Sequence, residues 1–210
     1  DRGCRTLIAG GGDGTMSAVA SVLAGTQASL GVLPLGTLNH FAKDLGIPLK
    51  LEEAVNGLAT GKTNHVDVGE VNGRTFINNS SLGLYPEIVR RREARQARGQ
   101  PKWEAAPGAV LKSLIRYRLL SVRVVIKGRQ LTRKTPIVFI GNNRYDMDGL
   151  DIGTRSRLDA GELSLYIPHV QTRLGLFRFT LRALAGKDTF GLELLLEKEF
   201  LIQSRHRHLP

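Results

Sequence analysis

The amino-acid sequence predicts an α/β domain over residues 1–62, followed by a mostly antiparallel, β-rich domain over residues 63–210. Up to about residue 60, short apolar runs alternate with helix-like segments, which is typical of a parallel sheet with flanking helices. From Thr63 onward, apolar and polar residues alternate with period two, which is typical of antiparallel strands. The change of pattern sets the predicted domain boundary.

The elements of the α/β domain follow from its apolar runs and their spacing. Thr6–Ala9 and Ser29–Leu33 are predicted to be buried strands. The first predicted helix carries apolar residues at the spacing of one helix face, at Met16, Val19, Ala20 and Leu23. We expect strand, helix, strand, short helix and helix at 5–9, 16–24, 29–33, 38–45 and 51–59.

The β-rich domain is predicted to begin with a hairpin. Asn72-Gly73 is a strong turn signal, and Thr75–Asn78 forms the return strand. Further strands are predicted at 121–127, 135–141, 162–168 and 192–203. Helices are predicted at Tyr85–Arg98 and Pro107–Leu120, as an insertion at about 85–120, and at Thr172–Ala185.

The residues Gly10-Gly11-Gly12-Asp13-Gly14-Thr15 follow the first strand and open the first helix. Glycine permits positive φ and close approach of the backbone to a ligand, and the N–H groups at a helix start favour phosphate. A carboxylate beside phosphates suggests a bound Mg²⁺ or a partner that positions one, so Asp13 is the candidate metal residue. A tight turn with a capping Asp or Thr is the alternative interpretation. The string fits neither the dinucleotide fingerprint nor the P-loop.

A second motif follows the second strand: Pro34-Leu35-Gly36-Thr37-Leu38-Asn39-His40-Phe41-Ala42-Lys43. The order GGDGT and then P-x-G-T-x-N-x-x-A-K/R resembles the diacylglycerol kinase catalytic family. That family includes bacterial lipid kinases and the sphingosine and ceramide kinases, and is distantly related to NAD kinases and phosphofructokinases. The resemblance implies part of an NAD kinase/diacylglycerol kinase-like α/β nucleotide-binding domain, then a β-rich lipid-binding domain, with the active site in the cleft between them.

The resemblance implies that the γ-phosphoryl group of ATP is transferred to a lipid hydroxyl, with Mg²⁺ as a cofactor. Asp13 is then the predicted catalytic and metal-binding residue. The residues implied in nucleotide binding are Gly10, Gly11, Gly12, Asp13, Gly14, Thr15, Pro34, Gly36, Thr37 and Asn39. His40 stands where much of the family carries Asp, and an imidazole cannot replace a carboxylate that binds Mg²⁺.

The resemblance also predicts what the chain lacks. The family has strands before GGDGT and an acidic L-D-G-E-type motif near the C-terminus that supplies the base, and neither is found here. We therefore expect a chain that is truncated at both ends and that is inactive by itself, because it lacks the catalytic acid motif. Where the family commonly has an Asp-Gly pair, this chain has Ala160-Gly161, with Asp159 one residue too early. We therefore expect the structural Mg²⁺ site of bacterial members to be absent or weak.

The charge and composition of the chain favour some classes of binding partner over others. The net charge of +11 favours anionic partners, and the arginine- and lysine-rich helices at 85–98 and 107–120 are predicted to contact anionic membranes or, alternatively, to be solvated. An aromatic content of 6% without an RNA-binding motif argues against nucleic acid. One cysteine and no membrane-spanning apolar run predict a cytoplasmic protein with peripheral membrane association. A homodimer is a further expectation.

Three functions remain open from the sequence. The chain is a fragment of a lipid kinase, a non-catalytic relative that still binds nucleotide or membrane, or an NAD kinase-like enzyme. Residues 34–43 match lipid kinases better than NAD kinases, which favours the first. No motif identifies the lipid, which is diacylglycerol or a related hydroxylated lipid.

Overall fold

A computed structural model describes residues 5–83, 119–148, 151–170 and 192–204, together with positions 172, 174, 175 and 178. The predicted helix at 85–98, nearly all of that at 107–120 and most of that at 172–185 lie outside the described residues. Within the described part, no helix combines the length and the apolar character that a membrane crossing requires.

The α/β elements occur in the predicted order. Strands β1 (Thr6–Gly11) and β2 (Ser29–Pro34) pair in parallel, from Thr6 opposite Ser29 to Gly11 opposite Pro34. Helix α1 (Asp13–Leu23) begins directly after β1, three residues earlier than predicted, because its first turn carries no apolar spacing signal. Helices α2 (His40–Asp44) and α3 (Leu51–Thr60) follow β2.

The core of this region forms between α1 and the two strands. Its buried residues are Ala9, Met16, Ala20, Val32, Phe41, Ala42 and Ile77. The prediction that β1 is a buried strand is wrong, since Leu7 is 45% and Ile8 57% exposed. Among the described residues β1 pairs with β2 alone, and the elements packed on this two-stranded sheet bury Ala9 but leave much of Leu7 and Ile8 exposed to solvent.

The predicted hairpin is confirmed. Strands β3 (Gly69–Val71) and β4 (Arg74–Phe76) pair antiparallel around Asn72 and Gly73, which have φ of 50° and 76°. Positive φ at both central positions is what a tight hairpin turn requires, and Asn-Gly supplies it. Strand β5 (Asn79–Gly83) follows directly.

A three-stranded antiparallel sheet has the order β13-β6-β7 and is built from β6 (Leu120–Ile126), β7 (Arg129–Thr135) and β13 (Leu201–Ser204). One prediction is wrong here, and one strand was not predicted. Leu120 starts β6 and does not end a helix, because it pairs with Thr135. Strand β7 was not predicted, since Leu131 is the only apolar side chain within it and its polar face hides the alternation.

A four-stranded sheet has the order β12-β11-β8-β5, with β8 (Ile137–Asn142), β11 (Leu163–Pro168) and β12 (Leu192–Glu197). Two short strands, β9 (Met147–Asp148) and β10 (Asp151–Ile152), pair with each other. The single strand predicted at 192–203 is wrong, because β12 and β13 belong to different sheets. The rings of Phe139 and Tyr166 pack edge to face at 5.7 Å.

The chain divides into two compact units. The first comprises residues 1–80, 141–146 and 152–164, and the second residues 81–140, 147–151 and 165–210. This division differs from the predicted boundary after residue 62. Ile77, which follows the hairpin, belongs to the core of the first unit, so the hairpin belongs there too.

Candidate functional site

The two sequence motifs lie side by side at one edge of the parallel strand pair. Gly11 of β1 is opposite Pro34 of β2, and Leu35 N donates a hydrogen bond to Gly11 O at 3.0 Å. We call residues 10–15 the glycine-rich turn and residues 34–39 the asparagine loop. Together they contain every predicted nucleotide-binding residue: Gly10, Gly11, Gly12, Asp13, Gly14, Thr15, Pro34, Gly36, Thr37 and Asn39. Their binding of a nucleotide stays a prediction.

The backbones of the two segments touch at Gly12 and Gly36. A Cβ atom added to Gly36 would lie 2.3 Å from Gly12 Cα, and one added to Gly11 would lie 2.5 Å from Thr15 Oγ1. Neither residue has positive φ. Of the two properties that glycine offers, positive φ and close approach of the backbone, these positions use close approach between chain segments.

The first N–H groups of helix α1 lie at the glycine-rich turn and have no acceptor within the helix. Its first internal hydrogen bond runs from Met16 N to Gly12 O at 3.1 Å, so the N–H groups of residues 13–15 have no acceptor within the helix. The capping residue, Gly12, has no side chain to satisfy them. The alternative of a turn capped by Asp or Thr therefore does not hold at α1. A Cβ added to Gly14 would meet nothing within 4 Å, so Gly14 borders open space.

The Asp13 carboxylate turns away from its own helix and caps α2. Oδ1 accepts hydrogen bonds from Phe41 N and Asn78 Nδ2, both at 2.9 Å, and Oδ2 accepts one from His40 N at 3.1 Å. An acidic group is stabilised at a helix start, where the N–H groups carry partial positive charge. Asp13 therefore ties the glycine-rich turn to the segment that follows the asparagine loop. Asn78 was not predicted, since its partner is 65 residues away.

Asn39 shapes the asparagine loop from within. Its backbone is left-handed, with φ 51° and ψ 45°, and it is 8% exposed. Oδ1 accepts from Gly36 N at 2.9 Å, while Nδ2 donates to Gly36 O at 2.8 Å and Pro34 O at 3.4 Å. Because its polar atoms serve the loop itself, Asn39 can affect a nucleotide by holding the loop in shape.

A buried arginine, which sequence reasoning missed, lies behind Asp13 and Asn78. The guanidinium of Arg155 is 0% exposed and donates from Nε and Nη2 to Asp44 Oδ2, at 2.8 and 2.7 Å. Nη1 donates to the carbonyl oxygens of Ile77 (2.7 Å) and Asn142 (3.0 Å), and Nη2 to Asn78 Oδ1 (2.9 Å). Since Arg155 and Asp44 are 111 residues apart, no local pattern in the sequence could have paired them.

The buried side chain of Tyr145 packs against the guanidinium of Arg155. Its ring lies 5.2 Å from the guanidinium carbon of Arg155, and the residue is 4% exposed. Burial raises the pKa of Tyr145 to about 12, although the positive charge of Arg155 and a hydrogen bond with Asn79 act in the opposite direction. Tyr145 is therefore neutral at any physiological pH.

Comparison with known proteins identifies the family. Residues 1–71 match the model of the diacylglycerol kinase catalytic domain. A protein from Enterobacter sp. (strain 638), named "Probable lipid kinase YegS-like", is 34% identical over 176 residues, which cover 79% of this chain and 56% of that protein. One of the same name from Pseudomonas aeruginosa PAO1 is 34% identical over 179 residues, covering 82% of this chain and 58% of it. The chain belongs to the diacylglycerol kinase catalytic family.

The fold agrees with this family. A crystal structure described as a diacylglycerol kinase from Bacillus anthracis str. Sterne superposes with a TM-score of 0.68 at 20% identity. The superposition covers 96% of this chain and 67% of that one. The diacylglycerol kinase-like fold is thereby confirmed. The chain spans 56% and 58% of the length of the two curated relatives.

Residues 159–161, where the resemblance places an Asp-Gly pair, form hydrogen bonds and an ion pair with other residues of the chain. Gly161 N donates to Asp67 Oδ2 at 2.6 Å, and Ala160 N donates to Asn143 Oδ1 at 3.0 Å. Asp159 is exposed and pairs with Arg157 at 3.1 Å. Among the residues that the structure describes, no three acidic, histidine or cysteine side chains are grouped so as to hold a metal ion. That the structural Mg²⁺ site is absent or weak stays a prediction.

Proposed function

We propose that this chain carries the nucleotide site of an ATP-dependent lipid kinase, which transfers the γ-phosphoryl group to the hydroxyl of diacylglycerol or a related lipid. The proposal rests on the observation that the glycine-rich turn and the asparagine loop are in contact. Backbone contact between Gly12 and Gly36 and the hydrogen bonds of Asp13 hold both loops at one edge of the parallel strands. Ligands of α/β sheets bind at this edge.

The residues present fit the phosphates of ATP. The amides of residues 13–15 have no acceptor within α1, and the space beside Gly14 is open. Backbone N–H groups at a helix start favour phosphate, and they cost no rearrangement when it binds. Gly10–Thr15 would hold the phosphates, and Pro34, Gly36, Thr37 and Asn39 would border the nucleotide.

Asp13 also fits a single carboxylate ligand of Mg²⁺. Oδ2 accepts one hydrogen bond, from the backbone N–H of the exposed residue His40. A second lone pair on this oxygen can therefore bind a metal ion. Mg²⁺ in phosphoryl-transfer sites is usually held by one or two carboxylates together with the substrate phosphates. The ion would neutralise charge that develops on the phosphoryl group. Asp13 would keep that ion beside the glycine-rich turn.

The proposal also specifies the acceptor of the phosphoryl group and the place in the cell where the reaction occurs. The relatives' names support a lipid kinase, and the hydroxylated lipid would be met at an anionic membrane surface from the cytoplasm. The basic segments at 85–98 and 107–120 would make that contact through their arginines and lysines, which attract anionic headgroups. Homodimerisation and the lack of a nucleic-acid partner stay predictions.

One observation favours a second candidate, a non-catalytic relative that binds nucleotide. Asp13 and Asn39 both have structural hydrogen bonds, which they would keep without any reaction. The two candidates differ in turnover and not in ATP binding.

The test is phosphoryl transfer from ATP·Mg²⁺ to diacylglycerol, a sphingoid base, undecaprenol and NAD, with the lipids in anionic mixed micelles. The protein assayed carries this chain together with the acidic motif that supplies the base. We expect one lipid to be labelled by the protein, and Asp13→Ala to abolish labelling. Glu53→Ala is the control, because Glu53 is an exposed acid on α3 that pairs with Lys50. Labelling of NAD alone would show an NAD kinase-like enzyme. Binding of ATP without any labelling would support the non-catalytic relative.

A further inference from the structure

The buried ion pair of Arg155 and Asp44 has no role in the function proposed so far. Both side chains are nearly inaccessible, at 0% and 3% exposed. A buried ion pair is a poor source of stability, since apolar residues of the same size often serve as well. The further hydrogen bonds of Arg155 therefore indicate what else the pair does.

Arg155 is linked to Asp13 by a single side chain, that of Asn78. Asn78 Oδ1 accepts from Arg155 Nη2, and Asn78 Nδ2 donates to Asp13 Oδ1, both at 2.9 Å. The two ends of an amide have nearly the same size but opposite hydrogen-bonding character. A cationic donor on one side and an anionic acceptor on the other leave only one orientation that satisfies both.

We propose that Arg155 is a positioning residue for the glycine-rich turn. It fixes the orientation of Asn78, and Asn78 then holds the Asp13 carboxylate against the first amides of α2. Asp13 in turn keeps the glycine-rich turn beside the asparagine loop. The geometric part of this inference concerns the structure alone, whereas its effect on catalysis rests on the proposed function.

The packing of the pair explains why an arginine is present. Its planar fork reaches Asp44 and Asn78 from the same nitrogen, Nη2, while Nη1 is held by two backbone carbonyls. The guanidinium therefore cannot rotate without losing several bonds. A lysine ammonium is a point charge on a flexible stem and lacks this fixed geometry. Arg155→Lys should keep the charge beside Asp44 while releasing Asn78.

The experiment is a double-mutant cycle on the protein, read by the amide resonances of His40 and Phe41 in ¹⁵N-labelled samples. These two amides donate to Asp13 and report its position whether or not the protein is a kinase. We expect Arg155→Lys and Asn78→Ala each to shift both resonances. The double variant should match Asn78→Ala alone, because the link passes through Asn78.

Arg133→Lys is the matched control. Arg133 also forms a two-point ion pair, with Glu193 at 2.9 and 3.1 Å, but its described contacts do not include Asp13 or Asn78. It should leave the His40 and Phe41 resonances unchanged. The inference is overturned if Arg155→Lys leaves these resonances at their wild-type positions in folded protein, or if its shift persists in the Asn78→Ala background.

Phosphoryl transfer adds a second readout. If the proposed function is right, Arg155→Lys and Asn78→Ala each lower kcat by about 10-fold or more, with KM for ATP changed by less than about 3-fold, and the double variant falls no further. A wild-type protein that labels no substrate while the resonance cycle is non-additive refutes the proposed function and leaves the positioning role standing. Active enzyme with additive resonance shifts refutes the positioning role alone.

Discussion

Gly36→Ala tests the contact on which the two-loop site depends. The added Cβ would lie 2.3 Å from Gly12 Cα and 2.7 Å from Asn39 Oδ1. Carbon atoms in contact are normally about 3.5–4.0 Å apart, so the loops must separate by roughly 1 Å or more. Gly36 does not have positive φ, and therefore the cost arises from overlap and not from the backbone conformation.

Overpacking of this kind costs about 1–3 kcal/mol in the free energy of unfolding. A displacement of about 1 Å would also separate the glycine-rich turn from the asparagine loop, and both are proposed to hold the nucleotide. We therefore expect Gly36→Ala to reduce the urea midpoint and to weaken ATP binding at the same time. Urea unfolding and isothermal titration with ATP·Mg²⁺ measure the two effects.

Gly57→Ala is the matched control. Gly57 lies inside α3, and a Cβ atom there would meet nothing within 4 Å. Alanine is the better helix former, so this variant should gain about 0.5–1 kcal/mol of stability and bind ATP as the wild type does. If Gly36→Ala matched Gly57→Ala in both measurements, the two loops would not be held in contact as described.

Three further predictions concern substitutions of single residues. Gly14→Ala should leave the urea midpoint unchanged or slightly raised, because a Cβ atom at Gly14 meets open space. It should weaken ATP binding about 10-fold in a titration, because the phosphates are proposed to approach this backbone, and an affinity equal to that of the wild type would place the phosphates elsewhere. Arg155→Met should cost about 3–5 kcal/mol in urea unfolding, because it leaves the Asp44 carboxylate buried without a counter-ion, and a loss below about 1 kcal/mol would contradict the buried pair. The pKa of Tyr145 is raised from 10.0 to about 12, so its contribution to stability is complete below pH 10 and is lost as the pH rises through about 12, by roughly 2–3 kcal/mol. Tyr145→Phe should abolish that decline in thermal unfolding between pH 9 and 12, and a decline of the same size in the variant would assign it to another group.

The sequence predicted the features that local chemistry determines. A strand that ends in glycines and opens a helix is contained in residues 6–16, and Asn72-Gly73 encodes a hairpin turn by its allowed φ values. The two motifs could be placed at one sheet edge because parallel neighbouring strands end on the same side. These inferences needed no knowledge of distant contacts.

The features that sequence reasoning missed depend on contacts between residues far apart in the sequence or on weak apolar patterns. Asn78 and Arg155 acquire their roles from partners 65 and 111 residues away, respectively, and a lone Asn or Arg in a sequence carries no mark of burial. Strand β7 has one apolar residue among polar ones, so its alternation was too weak to detect. The burial of β1 was overestimated because an apolar run does not reveal how many neighbours a strand has.

The proposed lipid kinase is tested by ³²P transfer from ATP·Mg²⁺ to lipid in anionic mixed micelles, with wild type, Asp13→Ala and Glu53→Ala compared at equal concentrations of folded protein. We expect wild type and Glu53→Ala to label the same lipid and Asp13→Ala to label none. Lipid labelling by Asp13→Ala at the wild-type rate would contradict the proposal, because the two loops that Asp13 joins would then not form the catalytic nucleotide site.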